Sequence, residues 1–215
     1  MPRAPRLHAP NLLYHVYARG NNRNLIFFEE NDYQRFLNNL DRFSSPFHLK
    51  ILTYCLLPNH FHLLLKIGDI ELSKFMQVLL TAYTMYVNKK RGRVGHIFQG
   101  RYQSIVVEKE TYLLQVQRYI HRNPVKAGIS ASPESYPWSG YTQYLNLTSK
   151  PPKLEKPEIL GLFSENPEMQ IALFQQFTET ETIDDFDPFK ASSRGVLGSS
   201  KFHQKLTRVL RGVRP

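Results

Sequence analysis

The sequence predicts an α+β fold in which one antiparallel sheet carries helices on one of its faces. Short segments rich in Val, Ile, Leu and aromatic residues alternate with segments whose apolar residues recur every three or four positions. Turn residues separate these segments. Their order is β-α-β-β-α-β followed by one more helix, the order of a split βαβ unit. We therefore predict a ferredoxin-like sheet with a mostly helical C-terminal extension.

The first two predicted elements are a strand and an amphipathic helix. Residues 12–18 are rich in β-forming side chains and stop at RGNNRN, residues 19–24, whose glycine and asparagines are typical of a turn. In residues 30–43 the apolar side chains share one helical face. They are Tyr33, Phe36, Leu37, Leu40 and Phe43.

A hairpin and a longer helix follow. Residues 49–57 and 60–67 are apolar strands separated by Pro58 and Asn59, and a tight turn tolerates the missing amide donor of proline. Residues 71–92 predict a helix that ends in basic residues and a glycine. In the split βαβ order, the strand at 60–67 lies in the interior of the sheet.

A fourth strand and a third helix complete the predicted sheet domain, residues 1–145. Residues 102–109 supply the strand and residues 109–128 the helix. Proline lacks an amide hydrogen and disfavours helical geometry at the residue before it. We therefore expect Pro124 to end this helix near Asn123.

The amino-acid composition of the chain changes after residue 145. Residues 146–160 are polar and rich in proline, and we interpret them as a linker. Residues 161–215 form the predicted extension, with a helix at 167–177 and an acidic run at 178–187. A solvated loop is the simplest interpretation of the acidic run. The basic amphipathic tail suits either contact with nucleic acid or packing against that run.

Composition places the chain among globular proteins. A length of 215 residues with 41% hydrophobic content suffices for one main packed domain. The lone cysteine, Cys55, has no partner within the chain, which excludes a scaffold stapled by disulfides. No signal-peptide pattern and no apolar run of about 18 residues is present. We therefore expect a cytoplasmic protein without a membrane span.

The distribution of charge points to a polyanionic partner. The net charge is +10, and residues 1–150 hold 19 Lys and Arg against 9 Asp and Glu, whereas residues 151–215 hold 9 of each. All of the excess therefore lies in the predicted sheet domain. A surface that combines cations with aromatic residues is suited to binding a polyphosphate chain, because each contact between a cation and a phosphate releases counterions and so favours binding.

A pair of histidines stands out in the apolar run LPNHFHLLLK. Side chains on a strand alternate between its faces, so His60 and His62 lie on one side while Phe61 lies on the other. Two adjacent imidazoles are half of a divalent metal site. Without further ligands, however, two histidines at this spacing are more often surface residues of a sheet that are hydrogen-bonded to the backbone or to water.

The helix at 109–128 can supply the missing groups. Tyr119 and Asn123 are four residues apart and share a helical face. Asn123 offers an amide oxygen as a third metal ligand, and Tyr119 offers a phenol that can attack a group held by the metal. A phenol has a pKa near 10, so it needs such activation. Tyr112 is the competing nucleophile, but Val116 stands where its amide partner would be. Lys66 has the same strand parity as the histidines, and two interpretations suit it equally: a cation that assists the reaction at their face, or a solvated lysine at the edge of the sheet.

These segments resemble a known family. PNHFHLLLK is similar to the HUH motif, and QRYIHRNPVKAG resembles the tyrosine helix of single-tyrosine HUH transposases of the IS200-like family, in particular the REP-associated branch. The segments YHVYARGNNRNLIFF, GHIFQGRYQS and YPWSGYTQYL also resemble that branch. Together they cover about residues 12–145. The segment GVLGSSKFHQKL resembles an extension found in some members.

The resemblance implies a mechanism. It makes His60, His62 and Asn123 the ligands of Mg²⁺ or Mn²⁺, and Tyr119 the nucleophile. It implies cleavage and rejoining of single-stranded DNA through a 5′-phosphotyrosine, at hairpins of repetitive extragenic palindromes. The ester conserves the bond energy, so rejoining needs no nucleoside triphosphate.

Several residues are candidates for gripping the DNA strand by phosphate pairing and base stacking. For each, a solvated turn residue is the alternative. They are Arg19, Asn21, Asn22, Arg23, Arg101 and Tyr102. Tyr102 and Tyr83 suit packing as well as base stacking, and His15 and His96 are interpreted as packing or DNA contacts, not ligands.

Two other functions remain open at this point. The first is a ferredoxin-like platform that binds single-stranded nucleic acid without chemistry, which would not require the histidines, Tyr119 and Asn123 together. The second is a relaxase or replication initiator, which is disfavoured because neither a helicase segment nor a second tyrosine pair is visible. The sequence is compatible with a monomer or a homodimer, and leaves open whether one chain or two complete the site.

Overall fold

The computed structural model describes residues 8–180 and 186–212. Five strands form one sheet in the order β2-β3-β1-β4-β5, and the strand with both histidines is an interior strand, as predicted. The strands are β1 Leu13–Arg19, β2 Lys50–Leu57, β3 His60–Lys66, β4 Gln103–Val107 and β5 Val196–Leu197. Neighbours among the first four strands are antiparallel, whereas β5 lies parallel to β4.

Three long helices cover the two faces of this sheet. They are α1 Glu30–Ser44, α2 Leu72–Arg91 and α3 Lys109–Lys126. Phe61 of β3 meets Phe36 of α1 with ring centroids 4.9 Å apart, and Phe36 meets Tyr83 of α2 at 5.1 Å. These contacts place α1 and α2 together on the face opposite the histidines. The predicted fold class is confirmed, and α3 adds a helix on the histidine face.

The third helix continues past its proline, and the expected end near Asn123 is wrong. α3 runs to Lys126 with Pro124 inside its last turn. The Asn123 side chain donates to the carbonyl of Tyr119 at 2.7 Å, and Gly128 adopts a φ of +67° just beyond the helix. A proline in the final turn removes one amide donor without interrupting the bonds that close the helix.

The C-terminal part folds against the sheet domain. The sheet domain ends with the short helix α4 Tyr141–Tyr144, and the part that follows contains the helices α5 Pro157–Leu160, α6 Pro167–Glu179, α7 Pro188–Ala191 and α8 Ser200–Gly212. Leu154 and Phe174 are buried in the core, and the amide of Glu155 donates to the carbonyl of Ile51 at 2.8 Å. The segment interpreted as a linker therefore packs on β2, although the division at residues 145 and 160 remains a prediction.

One part of the described extension differs from a purely helical picture. β5 extends the sheet beyond β4. This strand has two residues, which is too short for a hydrophobic pattern to predict it from the sequence. Residues 181–185 of the acidic run and 213–215 of the basic tail lie outside the described residues. None of the helices within residues 8–180 and 186–212 is both long and apolar enough to cross a membrane.

Candidate functional site

Strand register brings the two histidines to the face that α3 covers. In the antiparallel pairing of β1 and β3, His62 lies opposite Tyr17 and His60 lies opposite Arg19. The rings of His60 and His62 are 5.2 Å apart between centroids and nearly perpendicular. The prediction that both imidazoles share one face is therefore confirmed.

Hydrogen bonds orient both rings. The Nδ1 atom of His60 lies 2.6 Å from Oδ1 of Asn59, and an amide oxygen only accepts, so Nδ1 carries the proton and Nε2 keeps its lone pair. The Nδ1 atom of His62 lies 2.9 Å from Nε2 of His15, a fully buried residue. When His62 donates in this bond, its Nε2 also keeps a lone pair. The direction of the bond thus decides whether His62 can act as a ligand.

The three imidazoles are neutral at physiological pH. Burial lowers the pKa of His60 to about 4, with a smaller effect from the charge of Arg19. Burial also holds the pKa of His62 far below its usual value and lowers that of His15 to about 3. A neutral imidazole is the form that binds a cation, so this environment favours metal binding over protonation.

The predicted nucleophile lies beside the histidines. The ring of Tyr119 on α3 is half-buried and meets His62 edge-on, with centroids 5.5 Å apart, and it meets His15 at 5.8 Å. Asn123 lies one helical turn further along α3. Its amide nitrogen donates to the Tyr119 carbonyl, which leaves its Oδ1 atom for another partner. Among the described ring contacts, Tyr119 and not Tyr112 reaches His62.

A buried network holds α3 on β2. The Nε2 atom of His121 bonds the hydroxyl of Thr53, and its Nδ1 atom bonds the amide of Gln117 at 2.7 Å. Gln117 in turn donates to the hydroxyl of Thr178 on α6. His121 is fully buried two residues after Tyr119. These bonds fix the position of the helix that carries the tyrosine.

The sequence did not indicate Tyr17 as a residue of the site, and it indicated His15 only as a packing or DNA contact, not as the partner of His62. The ring of Tyr17 lies 5.1 Å from that of His62 and 5.6 Å from that of His60, and burial raises the pKa of its phenol despite the nearby Arg19. The signal was present, because His15 and Tyr17 alternate with buried apolar residues on a strand. Only the register with β3 shows that their face is the histidine face.

The extension covers this face. Phe189 of α7 packs 4.8 Å from the His15 ring and 5.8 Å from the Tyr17 ring. Phe186 meets Tyr119 at 6.4 Å. Phe186, near the end of the acidic run, and Phe189, just after it, therefore cover the inner side of the site. We refer to the segment 186–191 as the lid.

The turn after β1 places cations and amides beside His60. Gly20 fits there because a Cβ atom at this position would lie 2.0 Å from the carbonyl oxygen of Asn24. Arg19 donates to Oε1 of Gln99 at 2.9 Å, and Asn22 and Arg23 are exposed. Asn21, Asn22 and Arg23 form a short 3-10 turn, in which Asn21 is half-buried, and Arg19 precedes this turn at the end of β1. The turn lies beside the histidine face.

The remaining candidates differ in accessibility. Arg101 is exposed, whereas Tyr102 is only 6% exposed, which favours packing over base stacking. Tyr83 is buried and donates to the carbonyl of Ile26 at 2.7 Å, so it too packs. Lys66 lies at the end of β3 that is farther from His60, and it donates to the carboxylate of Glu158 at 2.7 Å. Its ammonium group is therefore paired with Glu158.

The donor set limits which metal chemistry fits. Among the described residues, no group of three His, Cys, Asp or Glu side chains is arranged to hold a metal ion. Cys55 lies opposite His62 in the sheet register, but burial raises the pKa of its thiol and keeps it neutral. Two imidazoles fit a cation only with ligands of another kind, such as an amide oxygen and oxygens of a substrate.

Comparison with known proteins found one family model and similar solved structures. The family model described as "Transposase IS200 like" matches residues 8–123. A solved structure of a REP-associated tyrosine transposase bound to a REP hairpin has 18% identity and a TM-score of 0.60, over 71% of this chain and 92% of that one. A putative transposase from Deinococcus radiodurans R1 has 19% identity and a TM-score of 0.39, over 56% of this chain and 97% of that one.

No curated protein matches the chain. The solved structure with the TM-score of 0.60 shares its fold with this chain. The family model spans more than half of the 215 residues, from before β1 to Asn123, and so includes His60, His62 and Tyr119. The chain therefore belongs to the IS200-like transposase family.

Proposed function

We propose that this transposase cuts and rejoins single-stranded DNA beside a hairpin, through a covalent bond between Tyr119 and a 5′ phosphate. The main support for the proposal is the contact of the Tyr119 ring with His62, at 5.5 Å between centroids, because it places a nucleophile next to a pair of neutral imidazoles. Membership of the IS200-like family supports a DNA-processing reaction. The hairpin in the structurally similar REP-associated transposase supports the substrate class.

The residues of the site fit a hard divalent cation, Mg²⁺ or Mn²⁺. Nε2 of His60, Nε2 of His62 and Oδ1 of Asn123 would hold the ion, and oxygens of the substrate phosphate would be further ligands. When bound, the ion would neutralise charge that develops on the non-bridging oxygens of the phosphate. Asn59 accepts the Nδ1 proton of His60. In the tautomer that this proposal requires, His15 accepts the Nδ1 proton of His62, and both imidazoles are thereby held in orientation.

The covalent step is a transesterification. The phenol oxygen of Tyr119 forms a bond to phosphorus, and the bond from phosphorus to the 3′ oxygen of the preceding nucleotide breaks. The phenol loses its proton, and the departing 3′ oxygen gains one. Attack by a 3′ hydroxyl on the phosphotyrosine reverses both changes, so no external energy source is needed. The half-buried position of Tyr119 excludes part of the bulk water that would hydrolyse this ester.

We further propose that the turn after β1 holds the DNA strand. Arg19, Asn21, Asn22 and Arg23 lie beside the histidine face, where they can pair with phosphates and polar base edges. Arg101 adds an exposed cation on the neighbouring connector. The buried ring of Tyr102 supports that connector from below. We place this reaction in the cytoplasm, in a domain of residues 1–145 that acts as a monomer or a homodimer.

The test is formation of a covalent adduct on a hairpin oligonucleotide labelled internally in its single-stranded flank, with Mn²⁺ present. Tyr119→Phe should abolish the adduct and leave hairpin affinity unchanged, because only the phenol oxygen is removed. Tyr112→Phe, seven residues earlier on the same helix, is the matched control that should retain the adduct. A normal adduct yield from Tyr119→Phe contradicts the assignment. Hairpin binding by the native protein without any adduct supports a binding module instead.

A further inference from the structure

The basic tail of the chain takes no part in the proposed reaction. The even balance of charge in residues 151–215 conceals a separation along the sequence. Residues 151–187 hold nine Asp and Glu against two Lys, whereas residues 188–215 hold seven Lys and Arg and no Asp or Glu. The helix α8 belongs to this second segment. A segment whose only charges are positive is suited to a polyanionic partner.

Hydrogen bonds attach the start of α8 to the sheet domain. The amide of Ser199 donates to one carboxylate oxygen of Glu108 at 2.7 Å, and the hydroxyl of Ser199 donates to the other at 2.9 Å. The same hydroxyl oxygen accepts from the amide of Phe202 at 3.2 Å and so caps the first turn of the helix. Glu108 lies between β4 and α3. The helix therefore starts at the end of β4.

The two sides of α8 differ in exposure. Leu206 is buried and Phe202 is half-buried, so most of the apolar side of the helix packs on the protein. Lys201, Lys205 and Arg208 are exposed, and their spacing of four and three residues places them in one row. None of the three pairs with a carboxylate of residues 8–180 or 186–212. The surface that α8 presents to solvent is therefore a row of cations, and its apolar side, which a membrane would need, is largely covered.

Two other exposed cations lie along the edge of the sheet that leads to α8. Arg101 precedes β4 by two residues, and Arg194 precedes β5 by two residues. β5 pairs with β4 in parallel as the last strand of the sheet, and the amide of Val106 donates to the carbonyl of Gly195 at 2.9 Å. Arg194 therefore lies beside β4, between Arg101 before its start and α8 beyond its end.

The dimensions of this edge match a short DNA duplex. The five residues of β4 span about 17 Å at about 3.4 Å per residue, and the 13 residues of α8 span about 20 Å. A duplex advances about 3.4 Å per base pair, so a stem whose foot lies beside Arg101 reaches α8 after about five base pairs. A stem of about ten base pairs is long enough to contact the row of cations, and a stem of about four is not.

We propose that the exposed cations of α8 bind the phosphate backbone of the paired stem of the hairpin, away from the scissile phosphodiester. This inference rests on the proposed function, since it needs a hairpin whose single-stranded flank lies at the histidine face. Contacts between cations and phosphates carry no information on base sequence, so α8 adds affinity and orients the stem without selecting its sequence. The C-terminal extension is thereby a second part of the DNA-binding surface.

The test compares the salt dependence of binding for two charge variants, by fluorescence anisotropy of a hairpin with a stem of about ten base pairs. Each contact between a cation and a duplex phosphate contributes about 0.9 to the slope of log Kd against log salt concentration. Lys201→Gln combined with Lys205→Gln should therefore lower this slope by about 1.8 and weaken binding. Lys150→Gln combined with Lys153→Gln is the matched control and should leave the slope unchanged. Both control lysines are exposed and precede the segment that packs on β2, at the opposite edge of the sheet.

The length of the stem provides a second measurement. On a hairpin with the same loop and flank but a stem of about four base pairs, the native protein and the Lys201 and Lys205 double variant should have equal slopes, because this stem ends before α8. Equal slopes on the long stem overturn the proposal, since α8 then does not contact the duplex. An equal loss on both stems also overturns it, because α8 then contacts the single strand.

A membrane surface is the alternative partner for a basic amphipathic helix. Native protein that binds anionic phospholipid vesicles, double variant that does not, and equal slopes on the long stem would overturn the proposal in favour of that partner. The adduct of the native protein at Tyr119 reports on the proposed function separately from all of these slopes. Failure of the inference about α8 can therefore be distinguished from failure of the proposed function.

Discussion

Replacing His15 by phenylalanine isolates the hydrogen bond that orients His62. The substitution keeps a ring of similar size against Phe189 and removes the acceptor that lies 2.9 Å from Nδ1 of His62. Loss of a partner that orients a metal-ligating histidine usually weakens metal affinity about 10–100-fold, or about 1.4–2.7 kcal/mol. We therefore expect the Kd for Mn²⁺ to rise by a factor in this range, measured by the electron paramagnetic resonance of free Mn²⁺ during titration.

The stability of the same variant provides an internal check. A buried Nδ1 donor without a partner costs about 1–3 kcal/mol, so the free energy of unfolding in urea should fall by a comparable amount. His15→Gln returns an acceptor and should recover part of the Mn²⁺ affinity. His48→Phe changes an exposed histidine that pairs with Asp69 and should leave the affinity unchanged. A folded His15→Phe protein with the native Kd for Mn²⁺ refutes the reasoning.

Three further predictions concern the supports of the site. His121→Leu should lower the free energy of unfolding in urea by on the order of 2 kcal/mol, because it leaves Thr53 and Gln117 without their buried partner; an unchanged value argues against the network. Phe189→Ala should speed adduct formation a few-fold by opening the lid, and a slower rate would count against a covering role. Acid should destabilise the protein between about pH 6.5 and pH 4, because four imidazoles of the folded protein have lowered pKa values. The pKa is about 3 for the buried His15 and His121, about 4 for the half-buried His60, and far below normal for the buried His62. The unfolded chain binds more protons in that window, so a free energy of unfolding that stays level there would contradict neutral buried histidines.

The sequence predicts the sheet because its signals are local. Apolar alternation, the turn at Pro58 and Asn59, and helical spacings each span a few residues, and the order of elements then selects one topology. Strand parity places His60 and His62 on one face, and a spacing of four places Tyr119 with Asn123. Nothing in this reasoning needs a long-range distance.

Other parts of the site depend on contacts between distant segments. His15 joins His62 across 47 positions of the chain, and the lid reaches the same imidazoles from residue 189. Lys66 has the right parity to assist at the histidine face, yet Glu158 of α5 binds it instead. Pro124 is a strong local stop signal that fails because it falls in the last turn of α3. In each case tertiary packing overrides or completes what a local pattern indicates.

The most direct test of the central claim identifies the amino acid that is joined to DNA. The native protein is incubated with hairpin DNA and Mn²⁺, digested with protease and nuclease, and the modified peptide is fragmented by mass spectrometry. We expect a nucleotide on Tyr119, in a peptide that a cut after Arg118 separates from Tyr112. A nucleotide on Tyr17 or Tyr112, or hairpin DNA bound without any covalent link, would contradict it.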